Sequence, residues 1–325
     1  MVERLVANEK VEGSTPFARS KRIILTFFNN LFQTYIKDKD IRVFKNNLIY
    51  YFIFRIIRKF LDKDIIVKIY NFKILASYKK NKTSHSLLKK CSFDDQAELI
   101  FLKKIASKNK ICFYDCGSNY GFYSLYIANL NILNKVIAIE ASPKTSQALY
   151  ENIKLNSQKN VKIYNNALSD VDNKKIIFNE SNNDWESSLN HKKFDLKNQI
   201  EVLSKKIDTI TDEISDLDKY NLIIKLDIEG GEFNALAGAL KTIEKHSPII
   251  IIEFSKFIFN EKNSKSFLNK FLENFNYKIF NTNFFKVSQK EIYDLIDKLD
   301  RKHATIGNYF LVKENSDNYK YFLNE

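Results

Sequence analysis

The residues best suited to chemistry begin at Asp115. The stretch FYDCGSNYGFYS, residues 113–124, sets Asp115, Gly117, Asn119 and Gly121 at alternate positions in a chain that has only seven glycines among 325 residues. Glycine serves where the backbone takes a positive φ or where another group must come close. A second group, KLDIEGGEF (225–233), crowds Asp227, Glu229 and Glu232 into six positions beside Lys225. Carboxylates gathered in this way can hold a cation, accept hydroxyl protons or align a polar substrate.

From residue 110 onward, apolar runs alternate with amphipathic ones, and the alternation supplies the frame for these residues. ICFYD, KVIAIE, VKIYNNA, NLIIKLD and PIIIIEF read as strands, and YGFYSLYIANL, PKTSQALYENIKLN and GGEFNALAGALKTIEKH as the helices between them. Strands that are apolar throughout and alternate with helices predict a mostly parallel, doubly wound Rossmann-like α/β sheet. Ligands of such sheets lie beyond the carboxyl ends of the strands. Polar residues stand at each of those ends: Asp115, Glu140, Asn166 next to Ala167, Asp227 with Glu229, and Glu253.

Charge narrows the ligand. A glycine turn that cradles a diphosphate offers backbone N–H groups with no carboxylate nearby, whereas Asp115 stands two residues before Gly117. S-adenosylmethionine suits this arrangement. Its carboxylate would take the amides from Asn119 to Gly121, its ammonium Asp115, its ribose Glu140 and its adenine edge Asn166. Asp227 is the first candidate for the acceptor side, as base or as orienter, with Glu229 beside it, while Glu232 reads as a charge at a helix N-terminus. Asp227 with Glu253 would suit Mg²⁺, but the reading adopted is metal-free. Gly238 reads as close packing inside a helix, His246 as structural, and His85, His191 and His303 as bases only if a loop folds over the site. Trp185, Ser187 and Ser188 fall in a polar insertion, and either Tyr120 or Phe122 is expected to cover the cofactor.

These blocks together resemble the FkbM family of S-adenosylmethionine-dependent methyltransferases. DCGSNYGFYS is similar to its Asp-x-Gly-x-Asn-x-Gly-x-x-Ser motif, IEASP to its Glu-x-x-Pro step, NALSD to its third-strand end, and KLDIEGGEFNALAGA to its Lys-x-Asp-x-Glu-Gly-x-Glu block. The similarity covers about residues 90–315; Gly231 and Ala141 are departures from the pattern. It implies a class I methyltransferase fold and O-methylation of a hydroxyl on a sugar, glycan or similar polyhydroxylated acceptor. Two rival readings stay open: a Rossmann-type NAD(P) oxidoreductase, and a polyanion or nucleic-acid binder working through a basic N-terminal third.

That third carries most of the charge. Residues 22–110 hold 20 Lys/Arg against 7 Asp/Glu, whereas residues 111–325 hold 28 against 29. The segment 41–61, IRVFKNNLIYYFIFRIIRKFL, predicts a helix with a wide apolar face and a basic edge, packed on the main domain or meeting a membrane surface. Residues 64–80 predict a hairpin around Asn71, and Phe93–Ile105 a helix opened by Asp94 and Asp95. The expected organisation is therefore a mis-assigned start or disordered tail (1–21), a basic helical and hairpin extension (22–92), the methyltransferase domain (93–315) and a C-terminal tail (316–325). Three cysteines without a disulfide or zinc pattern, and no apolar run of spanning length, lead to the expectation of a cytoplasmic protein, peripheral at the inner face of the membrane if the 41–61 segment docks there. No specific nucleic acid is expected as partner, and nothing in the pattern specifies an oligomeric state.

Overall fold

The computed structural model describes residues 26–27, 30–60, 64–77, 82–179, 199–259, 263–299 and 305–323. The expectations for residues 1–21, for Trp185, Ser187, Ser188 and His191, and for His303 lie outside them.

The N-terminal extension holds helix α1 (Leu48–Phe60), strands β1 (Asp64–Ile69) and β2 (Phe72–Ser77), and helix α2 (Lys82–Lys90). Helix α3 (Gln96–Ala106) leads into β3 (Ile111–Cys116), α4 (Phe122–Leu130), β4 (Lys135–Ile139), α5 (Pro143–Leu155) and β5 (Val161–Tyr164). Then come β6 (Ala167–Leu168), β7 (Lys175–Asn179), β8 (Gln199–Lys205), α6 (Ile207–Asp212), β9 (Asn221–Leu226), α7 (Glu232–Ala237), α8 (Leu240–His246) and β10 (Ile249–Ser255). Next come α9 (Lys256–Phe259), α10 (Ser264–Asn274), β11 (Tyr277–Phe280), β12 (Lys286–Val287), α11 (Gln289–Lys298) and β13 (Thr305–Lys313), and a 3₁₀ turn, Tyr319–Tyr321, is the last described element.

The central sheet runs β12-β11-β13-β10-β9-β3-β4-β5. The five strands from β10 to β5 are parallel, and β13, β11 and β12 join antiparallel at one edge. This is the doubly wound, mostly parallel α/β sheet that the alternation predicts. Strand β3 shows why its run is apolar throughout: Ile111 and Phe113 enter the core on one face of the sheet, and Cys112, Tyr114 and Cys116 the core on the other. Parallel strands covered on both faces need that composition. Strand order reverses beside β3, which lies between β4 and β9, so the crevice for a ligand opens there.

Several local expectations are revised. The single helix over 41–61 is two pieces, a 3₁₀ turn Ile41–Phe44 and α1. Asn46 sits at φ 66° between them, and Asn47 accepts the Tyr50 amide at 2.9 Å, which makes Asn47 a helix cap. The predicted helix over 230–246 breaks into α7 and α8, with Gly238 as the C-cap of α7. A Cβ at Gly238 would lie 2.1 Å from the Ser169 carbonyl oxygen, so its reason is contact with the loop after β6. The strand-like VLSKKIDTI ends at Lys205: Ile207 and Ile210, three apart and fully buried, open α6, whose Asp208 accepts from the Thr242 amide and hydroxyl of α8.

The extension packs on the sheet as one continuous core. Tyr70 and Phe72 of the hairpin meet Phe122 edge-on, and Asn152 of α5 and Asn156, its C-cap, receive the Leu75 and Lys73 amides of β2 at 2.8 and 2.7 Å. The segment from residue 316, expected as a tail, is packed as well. Phe322 is buried among Phe101, Phe280, Phe284 and Phe310.

Candidate active site

The carboxyl ends of β3, β4, β9 and β10 deliver Asp115, Glu140, Asp227 and Glu253 to one cavity of about 340 Å³. Gly117, Asn119, Tyr120, Asn166, Ala167 and Glu229 line the same space, so each sequence-predicted site residue except Gly121 is on its wall. Beta strands end together because their registers are in step: Asp115 lies level with Lys225 on one neighbour and Ala138 on the other.

The glycines have a different reason from the one their sequence position suggests. Gly117 (φ 83°) admits the Asp227 backbone, whose carbonyl oxygen would lie 1.9 Å from a Cβ there, and Gly121 (φ 81°) admits Leu149 at 2.4 Å. Both positions combine a left-handed backbone with close protein packing, and that alone requires glycine. The expectation that the amides from Asn119 to Gly121 receive a ligand carboxylate is likewise revised. Asn119 N–H donates to Glu140 Oε2 at 3.0 Å and Gly121 N–H to the Ser118 carbonyl at 2.8 Å.

Each carboxylate is held by the fold. Asp115 Oδ2 accepts from the Ser124 amide and hydroxyl at 3.0 and 2.6 Å, tying the end of β3 to the first turn of α4. Burial raises its carboxyl, and Lys225 opposes the rise. Glu140 accepts from Asn119 through Oε2 and from Ser142 through Oε1, while its own burial pushes the group up to about 7. Each oxygen still has capacity for a second donor. Asn166 is half-buried, and its amide donates to the Leu203 carbonyl, which anchors it to the small sheet β6-β8-β7. That sheet also supplies Ala167, Leu168 and Phe178, and with Ile139 and Ala141 they make one end of the cavity apolar.

A second group of wall residues is acidic. Lys225, 2% exposed, places Nζ 2.6 Å from Asp227 Oδ2 and over the Tyr123 ring at 4.7 Å. Burial alone would lower its ammonium, but Asp227, Asp95 and Asp115 outweigh that and raise it, so it stays charged. Glu229 stands in the left-handed region at φ 56°, a strained position for a side chain of its size. Burial raises its carboxyl strongly, and Asp227, Glu253 and Glu232 raise it further. Glu253 is pushed up to about 7 by burial and by Asp227. Glu232 faces inward, where its carboxylate braces the turn after β9 by accepting from the Ile228 and Gly230 amides.

Among the described residues, Asp227, Glu229 and Glu253 form the one trio of potential metal ligands whose oxygens lie within 4.8 Å of one another. Such a trio suits a hard cation, yet the Lys225 ammonium already brings a positive charge to it. Asp95 was hidden in the sequence as a helix-opening acid. It joins the acidic group, accepting from Tyr123 Oη at 2.9 Å and lining the cavity. Phe122 packs inward and stacks on Phe93, and Tyr120 stays half-buried in the wall. Neither His85 nor His246 lines the cavity, and His246 pairs with Asp218 elsewhere.

The family described as "Methyltransferase FkbM domain" matches residues 115–279. Among solved structures, the chain is similar to methyltransferase FkbM from Methylobacillus flagellatus at 19% identity and TM-score 0.38, over 62% of this chain and 43% of that one. It thus spans less than half the length of that protein. It is also similar to precorrin-6y C5,15-methyltransferase from Geobacter metallireducens (11% identity, TM-score 0.36, 68% and 87% covered). A third is TYW2 of M. jannaschii, solved in complex with AdoMet (13% identity, TM-score 0.37, 77% and 85% covered). No curated protein sequence matches.

Proposed function

Because the chain belongs to the family of the methyltransferase FkbM domain, we propose that it is an S-adenosylmethionine-dependent O-methyltransferase acting on a hydroxyl of a sugar, a glycan or a similar polyhydroxylated molecule. The observation that carries this reading is the polarity of the cavity, apolar around Ala141, Leu168 and Phe178 and acidic around Asp95, Asp227, Glu229 and Glu253.

The residues fit the cofactor. Asn119 Oδ1 is buried without a partner, an acceptor in want of a donor. With Asp115 and Glu140 it makes a set that takes hydroxyl and ammonium protons. Both cations on the cavity wall are already paired, Lys90 with Asp94 and Lys225 with Asp227, so a diphosphate finds no open cation. That favours S-adenosylmethionine over a nicotinamide dinucleotide. Glu140 would hold the ribose, Asp115 and Asn119 the amino-acid end, and the apolar end the adenine.

When bound, the cofactor supplies an electrophilic methyl group on a sulfonium. The protein must then align the acceptor oxygen and remove its proton, and alignment supplies much of the rate in such displacements. Asp227, 33% exposed at the cavity wall, is placed to accept the hydroxyl's hydrogen bond. Glu253 has the basicity that suits proton removal at neutral pH. Glu229, whose carboxyl is raised by burial and by its acidic neighbours, would in its protonated form donate to a second acceptor oxygen. A polyol offers both kinds of group.

Incubation with methyl-labelled cofactor and a cell-surface glycan extract tests the proposal. Label recovered as a sugar methyl ether supports it. Transfer only to protein or nucleic acid, or retention of nicotinamide dinucleotide and not S-adenosylmethionine in calorimetry, sinks it.

A further inference from the structure

Helix α1 buries one side and exposes another that is also apolar. Tyr50 and Phe54 are 0% and 2% exposed, and Tyr50 Oη anchors the helix by donating to the Leu88 carbonyl. On the other side Leu48, Ile49 and Phe52 are 84%, 63% and 66% exposed, and Val43 of the preceding turn is 65% exposed. Positions 48, 49 and 52 fall on one helix face. Isolated exposed aliphatics need no explanation, but a group of large ones on an anchored helix marks a contact surface.

The charge around this face identifies its partner. Lys45, Arg55, Lys89 and Lys90 line a shallow hollow of about 600 Å³ together with Asn46, Tyr51, Phe54 and Ser92. Lys90 pairs with Asp94, whereas Lys45, Arg55 and Lys89 have no carboxylate partner among the described residues. Across residues 37–59 the sequence has seven Lys/Arg and two Asp/Glu. Nucleic acid would answer the cations but leave Leu48, Ile49 and Phe52 in water. A bilayer with anionic headgroups answers both, with phosphates at the hollow and side chains among the acyl chains.

The helix cannot cross a membrane. At 13 residues it is about 20 Å long against a hydrocarbon core of about 30 Å, and no helix among the described residues is long and apolar enough to span. The orientation is meaningful, because Lys90 and Ser92 belong both to the hollow and to the wall of the catalytic cavity. We propose that Leu48, Ile49 and Phe52, with the cations of the adjoining hollow, form a docking surface for anionic lipid membrane, which sets the mouth of the cavity beside the headgroup layer.

Sedimentation of the full chain with vesicles tests this independently of any methyl transfer. Vesicles of phosphatidylcholine mixed with phosphatidylglycerol should bind roughly tenfold more tightly than phosphatidylcholine alone, and salt should weaken the binding. Leu48→Glu/Phe52→Glu should lose roughly tenfold in affinity or more, and Lys45→Glu and Arg55→Glu roughly fivefold each. All four positions are exposed, so circular dichroism and S-adenosylmethionine affinity should stay as in the unaltered chain. The proposal is overturned if anionic vesicles are not bound, or if the Leu48/Phe52 variant binds them unchanged. It is equally overturned if duplex DNA or RNA is bound through Lys45 and Arg55 with no dependence on Leu48 and Phe52.

Discussion

Lys225 Nζ lies 2.6 Å from Asp227 Oδ2, two residues further along the chain, and both line the cavity, Lys225 almost wholly buried and Asp227 one-third exposed. The lysine is thus the cation among the acids of the wall, and Asp95 and Asp115 also act on it. Lys225→Met keeps the volume and removes the charge. It should destabilise the chain by about 3 kcal/mol, the low end for breaking a buried pair because Asp227 is one-third hydrated. Urea unfolding at pH 8 measures this, and the loss should shrink toward pH 5 as Asp95 and Asp115, whose carboxyls burial raises, regain protons. Equal stability at pH 8 would show that the acids need no counter-charge.

Asp227→Asn keeps the shape and a hydrogen-bond acceptor but removes the charge at the acceptor side. Turnover should fall by about 10²–10⁴, while S-adenosylmethionine affinity in calorimetry changes little. A variant with full turnover would remove Asp227 from the reaction.

Glu140 links binding to pH. Glu140→Ala should weaken S-adenosylmethionine about tenfold, near 1.4 kcal/mol. The group's folded pKa, about 7, lies above its ordinary 4.5, so the native state keeps a proton that the unfolded chain has released. Its contribution to stability is therefore full below pH 4.5 and is lost as pH rises to 7, at about 1.4 kcal/mol per unit. Denaturation of the cofactor-free protein between these values should show the slope, flattened in Glu140→Gln. Parallel curves for the two proteins would refute the link.

Gly117→Ala should be poorly tolerated. The new Cβ meets the Asp227 carbonyl at 1.9 Å in a left-handed backbone, and the strain alone costs about 1–3 kcal/mol. A melting temperature unchanged from that of the parent chain would show that the ends of β3 and β9 can separate.

Much of the site was legible because strand-end positions can be counted. Once ICFYD, KVIAIE and NLIIKLD are read as neighbouring parallel strands, Asp115, Glu140 and Asp227 must converge, and they do. Asp95 and Phe178 gave no comparable signal. One looks like an ordinary acid at the start of a helix, and the other belongs to a small sheet completed by β8, more than 20 residues later in the chain. Glu253 was visible at its strand end, but its raised pKa depends on burial beside Asp227, which no spacing expresses.

The chain's own pattern determined the alternation of strands and helices, the identity of the acids at their ends and the basic bias of the first third, since all three follow from periodicity and composition. Tertiary structure alone decided what the glycines accommodate, which amides Glu140 occupies, that a buried Lys225 pairs with Asp227, and that Phe322 belongs to the core. Those outcomes depend on which distant backbone arrives within a few ångströms, and local sequence holds no record of that.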